Sequence, residues 1–224
     1  MRKWQTIRAS TFQRHVHENA YAALVLSGGY EEAGDLGRFH AQPGDVVLHE
    51  QFEAHQNHFA MAGATVLNLR LTSNCQFRPG LGKIANPDFI VRMAETNEED
   101  AAAVLLSQIE MREPSSRDWP DELAFALMRN PSLSLSDWSE ANGIAPWTTS
   151  RGFFRVFGVS PSAFRARARA RLAWRMIRST GEPLASIAAH LGFADQSHMT
   201  RGVKSVTGQR PRSWRATANR FKTS

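Results

Sequence analysis

The stretch Leu184–Arg212, LASIAAHLGFADQSHMTRGVKSVTGQRPR, reads as two short helices that meet at a tight turn and then stop. Leu184, Ile187, Ala188 and Leu191 fall at i, i+3, i+4 and i+7, one apolar face of a 3.6-residue period. Gly192 supplies the left-handed residue that ends a helix abruptly. Asp195 is a suitable N-cap, because its carboxylate accepts from the unpaired amides of the next turn. Met199, Val203 and Val206 then form a second apolar stripe, which Gly208 and Pro211 terminate. At 100° per residue, Ser197, Arg201 and Lys204 project roughly opposite that stripe, with His198 to one side. A short helix packed on another, with basic and hydrogen-bonding groups outward, suits the major groove of duplex DNA.

The charge supports that reading. The chain of 224 residues has a net charge of +6, but the two halves differ in sign. Residues 1–120 carry 11 Lys+Arg against 15 Asp+Glu, whereas residues 121–224 carry 16 against 6. A basic half of this kind meets a polyanion. The length suits two modest domains. No run approaches the roughly 18 apolar residues of a membrane span, and the N-terminus does not read as a signal peptide. One cysteine, Cys75, excludes an internal disulfide and fits a reducing cytoplasm.

Residues 5–72 read as short strands between turns. Thr11–His17 and Ala22–Leu26 are extended, and Ser27-Gly28-Gly29 punctuates them. A further turn is expected at Glu32–Leu36. Pro43-Gly44-Asp45 leads into Val46–Leu48, and Thr65–Leu71 alternates like a half-buried strand. Several short strands without a long helix suggest a small barrel or sandwich. Six of the eight histidines lie between positions 15 and 58, namely His15, His17, His40, His49, His55 and His58. Alternate residues of a strand share a face, so His15 and His17 point the same way; a third imidazole would complete a facial set for Zn, Fe, Ni or Mn.

After this region Asp88–Ala94 reads as a short helix. Asn97 caps a longer one with three acids in its first turn, running to about Glu113 with Val104, Leu105 and Ile109 on one side. Pro114-Ser115-Ser116 reads as a linker. A helix begins at Pro120, with Leu123, Leu127 and Met128 inward, and stops at Asn130-Pro131. Leu135–Asn142 and Ala145–Phe157 form an earlier helix-turn-helix that buries Thr149, Phe153 and Phe157 and turns Trp147, Arg151 and Arg155 outward. Residues 162–179, SAFRARARARLAWRMIRS, form one connecting helix with Phe164, Ala168, Leu172, Met176 and Ile177 inward. Its six arginines (165, 167, 169, 171, 175 and 178) are expected to border phosphates, and the helix is a rigid spacer able to set two recognition helices about one duplex turn (~34 Å) apart.

Ile187-Ala188, Leu191-Gly192-Phe193, Asp195-Gln196-Ser197, Thr207-Gly208 and Pro211 resemble the signature of the AraC/XylS family of bacterial transcription regulators. Ser150-Arg151, Phe153, Gly158 and Ser160-Pro161 are similar to the family's first unit. That unit departs from the pattern at Ser139, where alanine is usual, at Ala145, where a side-chain cap is expected, and at Gly152 within the helix. The first unit is therefore expected to be the less stable of the two. His15-x-His17, Gly28-Gly29, Pro43-Gly44-Asp45 and His55 resemble the two motifs of the cupin barrel. The glutamate that the cupin metal pattern places four residues after the histidine pair is replaced by Tyr21.

These resemblances imply an α+β chain with three parts. A small cupin-like β-barrel over residues 1–84 senses an effector, helices over 85–119 link and dimerise, and an all-α DNA-binding domain over 120–224 holds two helix-turn-helix units joined by a long helix. Analogy with family positions implies base contacts from Trp147, Ser150 and Arg151 and from Gln196, Ser197, His198 and Arg201, with Arg155 and Lys204 on the same interface. Arginine forks onto guanine, glutamine onto adenine, and Trp147 meets a thymine methyl. The barrel site is His15, His17, Tyr21 and His55, holding a small organic effector or, through His15, His17 and His55, a divalent metal. The implied function is a cytoplasmic, sequence-specific transcription regulator, a homodimer on double-stranded DNA with RNA polymerase as a candidate partner. No catalytic residue is assigned. A metal-dependent cupin enzyme carrying a DNA-binding domain is the alternative, and binding of RNA or nonspecific DNA is another.

Overall fold

The computed structural model describes residues 3–72, 75–112, 118–130 and 132–215. The chain divides into two compact units, residues 1–121 and 122–224.

In the first unit the strands are β1 (Trp4–Ile7), β2 (Ser10–Val16), β3 (Tyr21–Gly34), β4 (Gly37–Ala41), β5 (Asp45–His49), β6 (Ala54–Arg70), β7 (Gly80–Lys83) and β8 (Glu110–Met111). Every pairing is antiparallel. The long strands β3 and β6 run together from Tyr21↔Arg70 to Gly34↔His55, and each recruits shorter partners along its other edge. Strand alternation divides the core between two faces. Ala22, Leu24, Val46, Leu48, Leu67 and Leu69 pack with Ile90, Ala94, Ala101, Ala102 and Leu105, which come from helices α1 (Pro87–Thr96) and α2 (Glu98–Gln108). Tyr21, Ala23, Val25, Val47 and Val66 occupy the other face with Tyr30, Phe39 and Phe59.

Three expectations are corrected in this unit. Ser27-Gly28-Gly29 does not end a strand: β3 passes through it with register shifts between Val25 and Ser27 and between Gly28 and Tyr30. Gly28 has φ +68, and a Cβ there would sit 2.0 Å from the Gly63 carbonyl oxygen, so only glycine fits this bulge. The turn expected over Glu32–Leu36 shrinks to Asp35-Leu36, and Glu32 is a buried strand residue paired with Asn57. The helix capped by Asn97 ends at Gln108 rather than near Glu113. Ile109 is extended and packs over Gly82, where a Cβ would lie 2.6 Å from Ile109 Cδ1, so the chain joins the sheet edge as β8. The expected linker Pro114-Ser115-Ser116 lies outside the described residues, as does Pro131.

Helix α3 (Trp119–Arg129) buries Leu123, Ala124 and Leu127; Met128 is half-buried. The second unit continues with α4 (Leu135–Ala141), α5 (Pro146–Phe157), α6 (Pro161–Ser179), α7 (Leu184–His190) and α8 (Gln196–Thr207). Gly158, Gly192 and Gly208 take left-handed backbone where helices must stop. Phe153 and Phe157 stack at 4.6 Å and both meet Phe164 edge-on, at 5.3 and 5.5 Å between ring centroids, fixing α5 to α6. Helix α8 lies against α6 at Gly202, where a Cβ would be 3.4 Å from that of Ala170.

Candidate functional site: two exposed helix faces and a histidine-lined cavity

The faces of α5 and α8 follow from their apolar periods. Helix α8 buries Met199, Val203, Val206 and Thr207, which leaves Gln196, Ser197, His198, Arg201 and Lys204 exposed on the rest of its surface. Its start is fixed by Asp195, whose carboxylate accepts from the His198 amide at 2.6 Å. Helix α5 buries Thr149, Phe153 and Phe157, so Trp147, Ser150, Arg151 and Arg155 face solvent. Trp147 is 66% exposed, an unusual cost for so large an apolar ring unless a partner covers it. The Arg151 guanidinium lies 5.8 Å from the centroid of that ring. Phe154, 58% exposed on the same helix, was not anticipated, although the Phe153-Phe154 pair cannot place both rings inward at 100° per residue.

His198 is tied to the turn behind it. Its ring meets Phe193 edge-on at 5.3 Å, and its Nδ1 accepts from the Ala194 amide at 3.4 Å. Nε2 therefore carries the hydrogen and can donate outward.

The arginines of α6 do not form the open phosphate-facing row expected of them. Arg171 is 1% exposed. Arg165 donates to the Leu133 carbonyl at 2.8 Å, just before α4. Arg169 donates to the Gly192 carbonyl at 2.9 Å in the turn between α7 and α8, with its guanidinium over Phe193. Arg178 stacks on Trp174. Arg165 and Arg169 thereby tie segments of the two helix-turn-helix pairs to the connecting helix. Leu172 and Met176, read as inward, are only half-buried, while Ala170, Ala173 and Trp174 supply the buried side.

In the first unit, on the sheet face opposite α1 and α2, is a cavity of about 120 Å³. His15, His17, Tyr21 and His55 line it together with Glu32, Asn57 and Asn68. His15 lies 4.5 Å from His55 and 5.0 Å from His17 between ring centroids, and one ring nitrogen from each of the three lies within 4.8 Å of the others. Tyr21 fills the position where the cupin pattern has glutamate; its hydroxyl is 3.3 Å from His55 Nε2 and its ring stacks on His49 at 4.4 Å. Burial, then repulsion from His15 and His49, lowers the His17 pKa to about 4. Burial, then repulsion from His49, holds His55 well below its ordinary value. Both imidazoles are neutral at pH 7 and available as ligands.

Sequence reasoning missed Glu32, Glu53 and Asn57 and gave His49 no role. Glu32 lies 3.5 Å from His49 Nε2 and accepts from Asn57 Nδ2 at 2.9 Å; Glu53 lies 3.4 Å from His49 Nδ1. Burial raises the Glu32 pKa to about 7, against the pull of His49. The bulges in β3 explain the omission: Tyr21, Ala23 and Val25 share the cavity face with Tyr30 and Glu32, so counting by twos fails across Ser27–Gly29.

Residues 138–217 match a family described as a helix-turn-helix domain, a span that begins within α4 and holds α5, α6, α7 and α8. No curated protein matches the sequence. Among solved structures, the C-terminal domain of AraT, a response regulator from Geobacillus stearothermophilus, is 22% identical, with a TM-score of 0.40, over 44% of this chain and 84% of that one. ToxT from Vibrio cholerae strain SCE256, solved with an unsaturated fatty acid bound, is 11% identical over 93% of this chain and 91% of that one, with a TM-score of 0.43. An AraC-type transcriptional regulator from Chromobacterium violaceum is 22% identical over 43% of this chain and 88% of that one, with a TM-score of 0.41.

Proposed function

We propose that this chain, with its AraC-type helix-turn-helix domain over residues 138–217, is a sequence-specific DNA-binding transcription regulator with a ligand-binding N-terminal domain. The observation that carries the reading is the pair of exposed faces on α5 and α8 within the matched span. Each offers donors of base-reading type: Ser150 and Arg151 on one, Gln196, Ser197 and Arg201 on the other. Arg155 and Lys204 supply phosphate contacts that set affinity and salt dependence without reading sequence. Helix α6, with 19 residues, is about 28 Å long and separates the two faces as a rigid rod. The regulator acts in the cytoplasm as a homodimer, with RNA polymerase as a further partner.

The effector enters the cavity bounded by His15, His17, Tyr21 and His55. At about 120 Å³ the cavity is well below the ~300–1,000 Å³ of sites for drug-sized ligands, which favours a compact polar molecule or a metal ion on the three histidines. Tyr21 and the neutral imidazoles offer hydrogen bonds to such a molecule. No catalytic role is assigned to any of these groups.

Selection of bound fragments from genomic DNA by the full chain, with and without candidate effectors, tests the reading. Enrichment of one site with two conserved segments about one duplex turn apart is expected. Equal recovery of all sequences overturns it.

A further inference from the structure

We propose that Glu32, His49, Glu53 and His55 form a buried site for a divalent transition-metal cation of the zinc class, separate from the His15–His17 pair. This inference concerns the ligand-binding half of the proposed function and does not depend on DNA binding.

One ligand atom from each of the four residues lies within 4.8 Å of the others. For metal bonds of about 2.0–2.2 Å, ligand atoms on opposite sides of the ion are at most about 4.4 Å apart, so the four need little movement to close. All four residues are only 1–2% exposed, whereas His15 and His17 are half-buried. Glu32 Oε1 and His55 Nδ1 are buried without a hydrogen-bond partner; the oxygen has unused lone pairs, and Nδ1 has one when Nε2 carries the hydrogen toward the Tyr21 hydroxyl.

Charge balance favours a cation. If both carboxylates ionise they carry −2, which His49 between them could offset by one unit at most, and buried charges are costly unless paired. Arg14, a cation that bears on Glu32, is already paired with Asp35. A divalent ion cancels both carboxylates at once. The outer trio of His15, His17 and His55 has no carboxylate to offer, since Tyr21 occupies its fourth position.

The surroundings hold the ligands in place, as outer partners do in metal sites. Asn57 fixes the second oxygen of Glu32, and the Glu50 amide donates to Glu53 at 3.0 Å. Phe52, at φ 57, is the one described non-glycine residue in the left-handed region, and its amide donates to the His17 carbonyl. This tightly bent loop turns Glu53 inward. Two imidazoles with two carboxylates suit Zn, Fe(II), Mn, Co or Ni, rather than Ca or Mg, which take oxygen alone.

The test uses the full chain, stripped with a chelator and titrated with Zn²⁺ and separately with Co²⁺. One ion per chain is expected, and X-ray absorption at the metal edge should count two imidazoles. Glu32→Gln with Glu53→Gln should weaken binding by at least about 10-fold. Absence of stoichiometric binding overturns the inference, as does a count of three imidazoles or unchanged affinity in the glutamine pair. If the glutamine pair does not fold, the imidazole count on the unaltered chain decides. Sequence-specific DNA binding by a chain that takes no metal sinks this inference alone; metal uptake without sequence preference sinks only the regulator reading.

Discussion

Ser139 Oγ lies 2.9 Å from Thr149 Oγ1 at the buried crossing of α4 and α5, and each hydroxyl also reaches a carbonyl of its own helix, Leu135 at 2.8 Å and Ala145 at 3.3 Å. Two hydroxyl hydrogens serve these three contacts: Ser139 donates to Leu135, and Thr149 shares its hydrogen between Ser139 and Ala145, so the serine is satisfied at a crossing where the resembled pattern has alanine. Ser139→Ala leaves Thr149 its own carbonyl and should cost no more than about 1 kcal/mol. A double-mutant cycle with Thr149→Val, followed by urea unfolding, should give a coupling of about 0.5–1.5 kcal/mol. Strictly additive losses would show that the two hydroxyls do not interact.

The two outward helices begin differently. Ala145 caps α5 with no side-chain hydrogen bond, whereas Asp195 caps α8. Ala145→Asp should stabilise the domain by roughly 0.5–1 kcal/mol, and Asp195→Ala should cost about 1 kcal/mol. Hydrogen exchange should show weaker protection for α5 amides than for those of α8, and the aspartate at 145 should narrow the gap.

Arginines on α8 and α6 should fail in different ways. Arg201→Ala should weaken binding to the selected site by about 1–3 kcal/mol and spare most binding to random duplex. Arg165→Ala removes the bond to the Leu133 carbonyl, so its main effect should be a lower melting temperature of the helical domain. Filter binding on both duplexes, alongside thermal melts, separates the two outcomes. Equal loss on specific and random DNA for Arg201→Ala would refute its base-reading role.

Glu32 predicts a pH dependence. Burial raises its pKa from 4.5 to about 7, with His49, Glu53, Asn57 and Arg14 as the other groups acting on it. Between those values the folded chain keeps a proton that the unfolded chain has lost. The contribution is complete below about pH 4.5 and is lost as pH rises through about 7. His17 works in the opposite sense, losing its contribution as pH falls from 6.5 to about 4. Glu32→Gln removes only the first effect. In chelator, its stability relative to the unaltered chain should therefore rise with pH across the window from 4.5 to 7, as read by urea titration. A flat difference would mean that Glu32 does not titrate there.

The helical half was legible because its signals are local. Apolar residues at helical spacing, a cap at Asp195 and glycines at 158, 192 and 208 each act within one or two turns of chain, and the structure places the helices where those signals lie. The six arginines were less legible. Periodicity tells which side of α6 a residue occupies, but not that Arg165 and Arg169 reach carbonyls 32 and 23 residues away, nor that Arg171 is enclosed.

The sequence by itself determined two helix-turn-helix units on a connecting helix, a partner domain of strands and the shared face of His15 and His17, because periodicity, capping and strand alternation are short-range rules; His55 joined that pair only through the resemblance to the cupin motifs. Only the tertiary structure decided that Glu32, His49 and Glu53 meet in the interior, that Ile109 leaves its helix for the sheet, and that arginines of α6 hold turns. Each of these depends on a bulge that reverses strand faces or on contacts between distant segments. Gly28 and Gly29 mark the bulge without telling which face the following residues take, and a contact between distant segments leaves no local mark.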